Sequence, residues 1–137
     1  MKRLVGIDYG RKRLGVAMTD PLAISVQGHP TLVVSGFEDT VSQILAFLSG
    51  HDVSTIVFGL PLNMDGTRGE MADEVERLGR ELAQRSGIPV SYWDERLSSQ
   101  QAKQILNTGG TKRRDRGEID QLAAAVMLES YLKANPV

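Results

Sequence analysis

The sequence predicts an α/β fold: a mixed five-stranded sheet, three antiparallel strands followed by parallel ones, flanked by helices on both faces. Three observations predict it. Two short apolar runs, Leu4–Ile7 and Leu14–Thr19, are separated by a Gly-Arg-Lys-Arg turn. The apolar period then changes to that of a helix after Ser35. Beyond that point short apolar strands alternate with amphipathic segments, a pattern that needs right-handed crossovers and therefore parallel strands. A chain of 137 residues fits one domain, 1–137.

The elements follow in order. Residues 3–9 read as a buried strand and 14–19 as its hairpin partner, joined through Gly10-Arg11-Lys12-Arg13. A third strand falls within 23–34, interrupted by Gly28 and Pro30. Ser35 with Glu38 has the form of a capping box, and Phe37, Val41, Ile44, Leu45 and Leu48 make one helical face up to Gly50. Residues 54–59 read as a buried strand, followed by the loop Leu60–Gly66. Thr67 with Glu70 opens a second helix with a core stripe of Met71, Val75, Leu78 and Leu82, stopped by Gly87. Its outer face carries the pairs Asp73/Arg77, Glu76/Arg80 and Glu81/Arg85. Residues 89–93 form a further strand. Ser98 with Gln101 caps a helix bearing Ala102, Ile105 and Leu106. A glycine-rich basic segment, 107–116, leads to a last helix opened by Asp115 and Glu118 and ending near Lys133.

Three acids stand where acids are costly. Asp8 ends the first apolar run, Glu95 follows Tyr92-Trp93, and Asp120 precedes the run Leu122–Leu128. A carboxylate at a core edge is expensive unless it is paired or binds metal. Converging carboxylates repel one another, and a divalent cation is their natural partner. In a sheet of this kind ligands collect beyond the carboxyl ends of the strands, where Asp8 and Glu95 both lie. On a helix, Asp120 shares a face with Ala123, Ala124, Met127 and Tyr131, a small-residue stripe suited to packing against a sheet. A first-turn acid equally serves the helix dipole. Asp94 competes with Glu95, since only one of two neighbours on a strand can point at a given site.

Net charge is −1, so bulk charge does not indicate a polyanionic partner. The distribution does: Arg11, Lys12, Arg13, Arg96, Lys112, Arg113, Arg114 and Arg116 are predicted phosphate contacts, along with Asn63, Thr67 and Arg68 of the 59–69 loop. With no cysteine in the chain, disulfides, thiolate metal sites and cysteine nucleophiles are excluded. His29 and His51 read as isolated residues with no metal role. No stretch is long enough to span a bilayer, and Met1-Lys2-Arg3 leads straight into a strand-like run, so neither membrane association nor a signal peptide is expected.

Four ordered motifs are recognisable. Gly6-Ile-Asp-Tyr-Gly10 with Lys12–Ala17 and Asp20, Gly59–Thr67 with Gly69, Asp94–Ser99 with Ala102, and Asp120 with Ala123-Ala124 together resemble the YqgF/RuvX family nearly end to end. The resemblance implies an RNase H-like fold and a cytoplasmic nuclease. The family is described as processing the 5′ end of precursor 16S ribosomal RNA, and also as resolving Holliday junctions. Carried over by position, Asp8, Glu95 and Asp120 match its catalytic acids. Some RNase H-like nucleases have a further acid one helical turn before the last; here that position is Gly117.

The expected chemistry is phosphodiester hydrolysis with Mg²⁺ or Mn²⁺, two ions, held by Asp8, Glu95 and Asp120, with Asp65 and Asp94 as auxiliary candidates. Structured RNA, branched DNA and ribosomal precursor particles are the expected partners, for a monomer or a homodimer. Two rivals remain: a sugar-kinase or actin-like ATPase, which needs two such domains, and a noncatalytic nucleic-acid or ribosome-assembly adaptor, which gains nothing from costly acids.

Overall fold

The computed structural model describes residues 3–97 and 116–136. The strands are β1 (Arg3–Asp8), β2 (Arg13–Thr19), β3 (Val26–Val33), β4 (Val53–Leu60) and β5 (Val90–Asp94). The helices are α1 (Phe37–Ser49), α2 (Glu70–Ser86) and α3 (Arg116–Ala134). One sheet runs in the order β3-β2-β1-β4-β5. The first three strands are antiparallel, whereas β4 lies parallel to β1 and β5 parallel to β4. The mixed five-stranded sheet expected from the sequence is therefore the one observed.

β1 is central, and its Leu4–Ile7 run is apolar because both faces are covered there. Val5 and Ile7 join Val16, Ile56 and Phe58 under α1 and α2, which contribute Val41, Ile44, Val75, Leu78 and Leu82. The alternate residues face α3: Leu4, Ala17 and Val57 pack against Ala124, Met127 and Leu128. This alternation sends Asp8 to the α3 side and Tyr9 to the α2 side, where the Tyr9 hydroxyl donates to Glu74 Oε1 at 2.9 Å.

The two proposed capping boxes take other forms. Gly36, not Ser35, is the N-cap of α1, and the Ser35 amide donates to Asp39 Oδ2 at 2.8 Å. α2 starts from Gly69, because Thr67 spends its hydroxyl on Asp65 at 2.6 Å. In both cases a short local bond inside the preceding turn is made in place of the cap. Gly28 and Pro30 do not end β3, an edge strand, but the register with β2 shifts between His29 and Leu32, a bulge that accommodates the missing amide donor of Pro30. Of the surface pairs predicted along α2, Glu81–Arg85 is present at 3.8 Å, while Asp73 and Glu76 pair with Arg68 instead. The predicted helix of Ser98–Leu106 lies outside the described residues.

Candidate active site

The site is built at the carboxyl ends of β1 and β5, with Asp120 of α3 lying over Gly15 of β2, the neighbour of Asp8. Asp8 closes β1. Trp93 of β5 faces α3, donating its indole N–H to Ser130 Oγ at 3.0 Å and meeting the Tyr131 ring edge-on at 5.8 Å. Strand alternation then turns Asp94 to the opposite face and returns Glu95 to the side of Asp8. The structure thus chooses between the two neighbours: Glu95 hydrogen-bonds Asp8, while Arg96 grips both oxygens of Asp94, at 3.0 Å from Nε and 2.7 Å from Nη2 to Oδ2.

Two glycines missed in the sequence as site residues make this arrangement possible. Gly59 lies beside Trp93 in the β4–β5 register. A β-carbon there would stand 2.6 Å from Glu95 Oε1 and 2.9 Å from its Cγ, so only glycine lets the Glu95 side chain cross β4 toward Asp8. Gly15 is the register partner of Asp8 on β2. A β-carbon at that position would collide with the Asp120 carbonyl, so a bare backbone lets α3 settle onto the sheet at Asp120, one turn beyond the helix start rather than in the first turn that the sequence suggested for this acid. The sequence signal was available: in each case a glycine sits inside a strand, where it usually marks a close approach.

The electrostatics follow from burial. Glu95 is pushed up to about 9, first by loss of water, then by its hydrogen bond to Asp8 and by the charges of Asp8 and Asp94. Burial also raises Asp8; the bond from Glu95 works against that rise, and the charge of Asp120 adds to it. Burial thus favours the protonated form of both carboxyls, and the hydrogen bond between them favours the proton on Glu95.

Asp120 is close enough for its charge to act on Asp8, but its carboxylate is turned to Arg13, with Nε to Oδ2 at 2.8 Å. Among the described residues, no three histidine or acidic side chains are grouped tightly enough as they stand to hold an ion. The expected trio is two acids in direct contact and a third held off by an arginine.

The predicted phosphate contacts are redistributed. Arg11 is bidentate to Glu74, at 3.1 Å from Nε and 2.6 Å from Nη2 to Oε2, and reaches Glu70 at 3.6 Å. Arg68 pairs with Asp73 and Glu76 of α2. Arg13 is on Asp120 and Arg96 on Asp94. Asn63 and Thr67 bond each other at 2.9 Å and so build their loop. The reason is common to all: an arginine within reach of a carboxylate forms the charge-assisted bond that water would otherwise weaken. Lys12 is exposed at the β1–β2 turn. Lys112, Arg113 and Arg114 lie outside the described residues, and the backbone of Arg116 opens α3. Asp65, the other auxiliary candidate, is held by the Thr67 amide and hydroxyl, which lower it. His29 and His51 are not isolated: they lie 6.0 Å apart with Phe47 against both, at the end of α1 remote in sequence from the acids.

A family model described as "RuvX: Holliday junction resolvase" matches residues 2–134. The chain belongs to the RuvX family. Among curated members, a protein of Syntrophus aciditrophicus named "Putative pre-16S rRNA nuclease" is 41% identical over 133 residues, covering 96% of this chain and 89% of that one. One of the same name from Geobacillus kaustophilus is 39% identical, covering 95% and 96%. The RuvX chain also shares its fold with Thermus thermophilus RuvC, solved in complex with a Holliday junction substrate, at a TM-score of 0.60 and 16% identity over 98% of this chain and 97% of that one. The fowlpox virus resolvase, solved with Holliday junction DNA, gives 0.59 at 11% identity over 98% and 99%. These neighbours bear out the RNase H-like fold. No described helix of this RuvX member is long and apolar enough to cross a membrane.

Proposed function

We propose that this RuvX protein is a divalent-metal-dependent nuclease acting on precursor 16S ribosomal RNA, with Asp8, Glu95 and Asp120 as its catalytic and metal-binding acids. The contact of the buried Asp8 and Glu95 carboxyl groups, with Asp120 close by, carries the reading. A fold gains no stability from such a cluster; it gains a seat for a cation. The donors fit Mg²⁺ or Mn²⁺: all are hard carboxylate oxygens, the chain has no thiolate, and the histidines belong to another cluster. The names of the curated relatives support the RNA substrate.

Asp8, Glu95 and Asp120 would hold the cation, which would supply an activated water and neutralise charge on the phosphate. The chain's own residues prepare for this. Asp8, fixed at the end of a central strand, offers a carboxyl group for the cation. Glu95 must give its proton to solvent before it can ligate, which couples metal uptake to proton release. Gly59 keeps the path between them clear, and Gly15 brings Asp120 alongside.

Branched DNA is the second reading, favoured by the family description and by the junction complexes of the two structural neighbours. Cleavage of precursor RNA, four-way DNA and single strands in parallel, with Mg²⁺ and with Mn²⁺, separates the readings. Metal-dependent cutting of precursor RNA alone is the expected result, cutting of the junction alone supports the second, and no cutting with any metal removes both.

A further inference from the structure

Among the described side chains, Arg13 stands apart from Arg11, Arg68 and Arg96. Those are held by acids outside the candidate site: Arg11 by Glu74, Arg68 by Asp73 and Glu76, Arg96 by Asp94. Arg13 holds Asp120 itself, through Nε at 2.8 Å, with side-chain exposures of 31% and 27%. Its placement is built into the strand. Arg13 lies two residues before Gly15 on β2, hence on the same face as the position opposite Asp8. The missing side chain at Gly15 lets α3 come down at Asp120 to meet it. The grip is one-toothed, unlike the two-toothed contact of Arg11 with Glu74, so it is the more exchangeable of the two.

We propose that Arg13 is a resident counter-ion of the metal site, which holds Asp120 while no cation is bound and releases it when one binds. The inference rests on the metal-nuclease reading above. A guanidinium and a divalent cation compete for the same carboxylate oxygens. While Arg13 is in place, Asp120 is neutralised and repels Asp8 less, so the empty cluster tolerates its own charge. When a cation takes Asp120, Arg13 is freed on the same face, next to where a phosphate joins the cation, and its planar fork suits phosphate oxygens. The positive charge is therefore passed from protein to substrate, and the arginine acts as a brake on metal binding and as an aid to cleavage.

The two roles predict opposite signs, which a purely structural role does not. Mn²⁺ binding is measured by titration calorimetry without nucleic acid, on wild type, Arg13→Gln and Arg13→Lys, with circular dichroism to verify the fold. Arg13→Gln removes the competing charge and should bind Mn²⁺ on the order of tenfold more tightly, the equivalent of losing one charge-assisted bond. At saturating Mn²⁺ the same variant should cleave more slowly than wild type. Arg13→Lys, which keeps a charge beside Asp120, should bind Mn²⁺ like wild type. Equal or weaker Mn²⁺ binding by Arg13→Gln, with wild type binding normally, overturns this inference alone. An Arg13→Gln variant that fails to fold while Arg13→Lys binds more tightly than wild type also overturns it, since the retained charge would then not be the competitor. No Mn²⁺ uptake by wild type, even with substrate present, overturns both the inference and the metal-nuclease reading.

Discussion

Replacing Glu95 by glutamine isolates the cost of the buried acid pair. In the unfolded chain Glu95 loses its proton near its ordinary value of 4.5, whereas in the folded protein it holds the proton up to about 9. The folded state thus binds one more proton between these limits. A raised folded value means that the stabilisation is complete below about pH 4.5 and is lost as pH rises toward 9. The slope for one proton is about 1.4 kcal/mol per pH unit, so metal-free protein should lose about 3 kcal/mol from this site between pH 5.5 and 8.0. Glutamine keeps a neutral donor toward Asp8 and has nothing to ionise, so its slope from this site is zero. At about 3–4 °C per kcal/mol for a domain of this size, the Tm advantage of Glu95→Gln should widen by about 10 °C across that range. The assay is differential scanning fluorimetry in EDTA. Contributions from other groups, including His29, whose protonation burial disfavours, are common to both proteins and cancel in the difference. Added Mg²⁺ should raise the wild-type Tm more at pH 8.0 than at pH 5.5, because the ligand must be deprotonated. Melting curves that stay parallel within about 2 °C would show that Glu95 holds no proton above its ordinary value.

Other outcomes follow from the same site. Asp8→Asn should reduce metal-dependent cleavage to background while the Tm falls by no more than a few degrees; retained activity would be fatal to the assignment. Gly59→Ala should displace Glu95, with a stability loss of about 1–3 kcal/mol from overpacking and a fall in cleavage of about 10²-fold from the misplaced ligand. Chemical denaturation and single-turnover kinetics read the two effects, and wild-type values for both would mean that Glu95 does not cross β4. Neutralising Lys112, Arg113 and Arg114 together should weaken RNA binding and flatten its salt dependence; an unchanged slope in filter binding would remove that segment from the interface.

Much of the frame was legible in the chain because hydrophobic period is local information. The buried run of β1, the helical faces of α1 and α2 and the stop at Gly87 all follow from nearest neighbours, and each is observed. The errors share a cause. Ser35 and Thr67 carried capping signatures, yet bonds within their own turns took precedence. The ion pairs of Arg11 and Arg13 were not legible because their partners are distant in sequence: Glu74 lies 63 residues from Arg11, and Asp120 lies 107 from Arg13. His29 and His51 read as isolated for the same reason.

The sequence by itself determined that acids end the first and last strands and open the last helix, since apolar runs stop where charge begins. Which of Asp94 and Glu95 faces Asp8, and what holds Asp120 in the meantime, was decided only by tertiary structure. Strand parity became meaningful once Trp93 had packed against α3; Arg13 met Asp120 because Gly15 left room for the helix, and Glu95 met Asp8 because Gly59 left room for its side chain. Charge pairing depends on distance in space, and distance in space is set by packing.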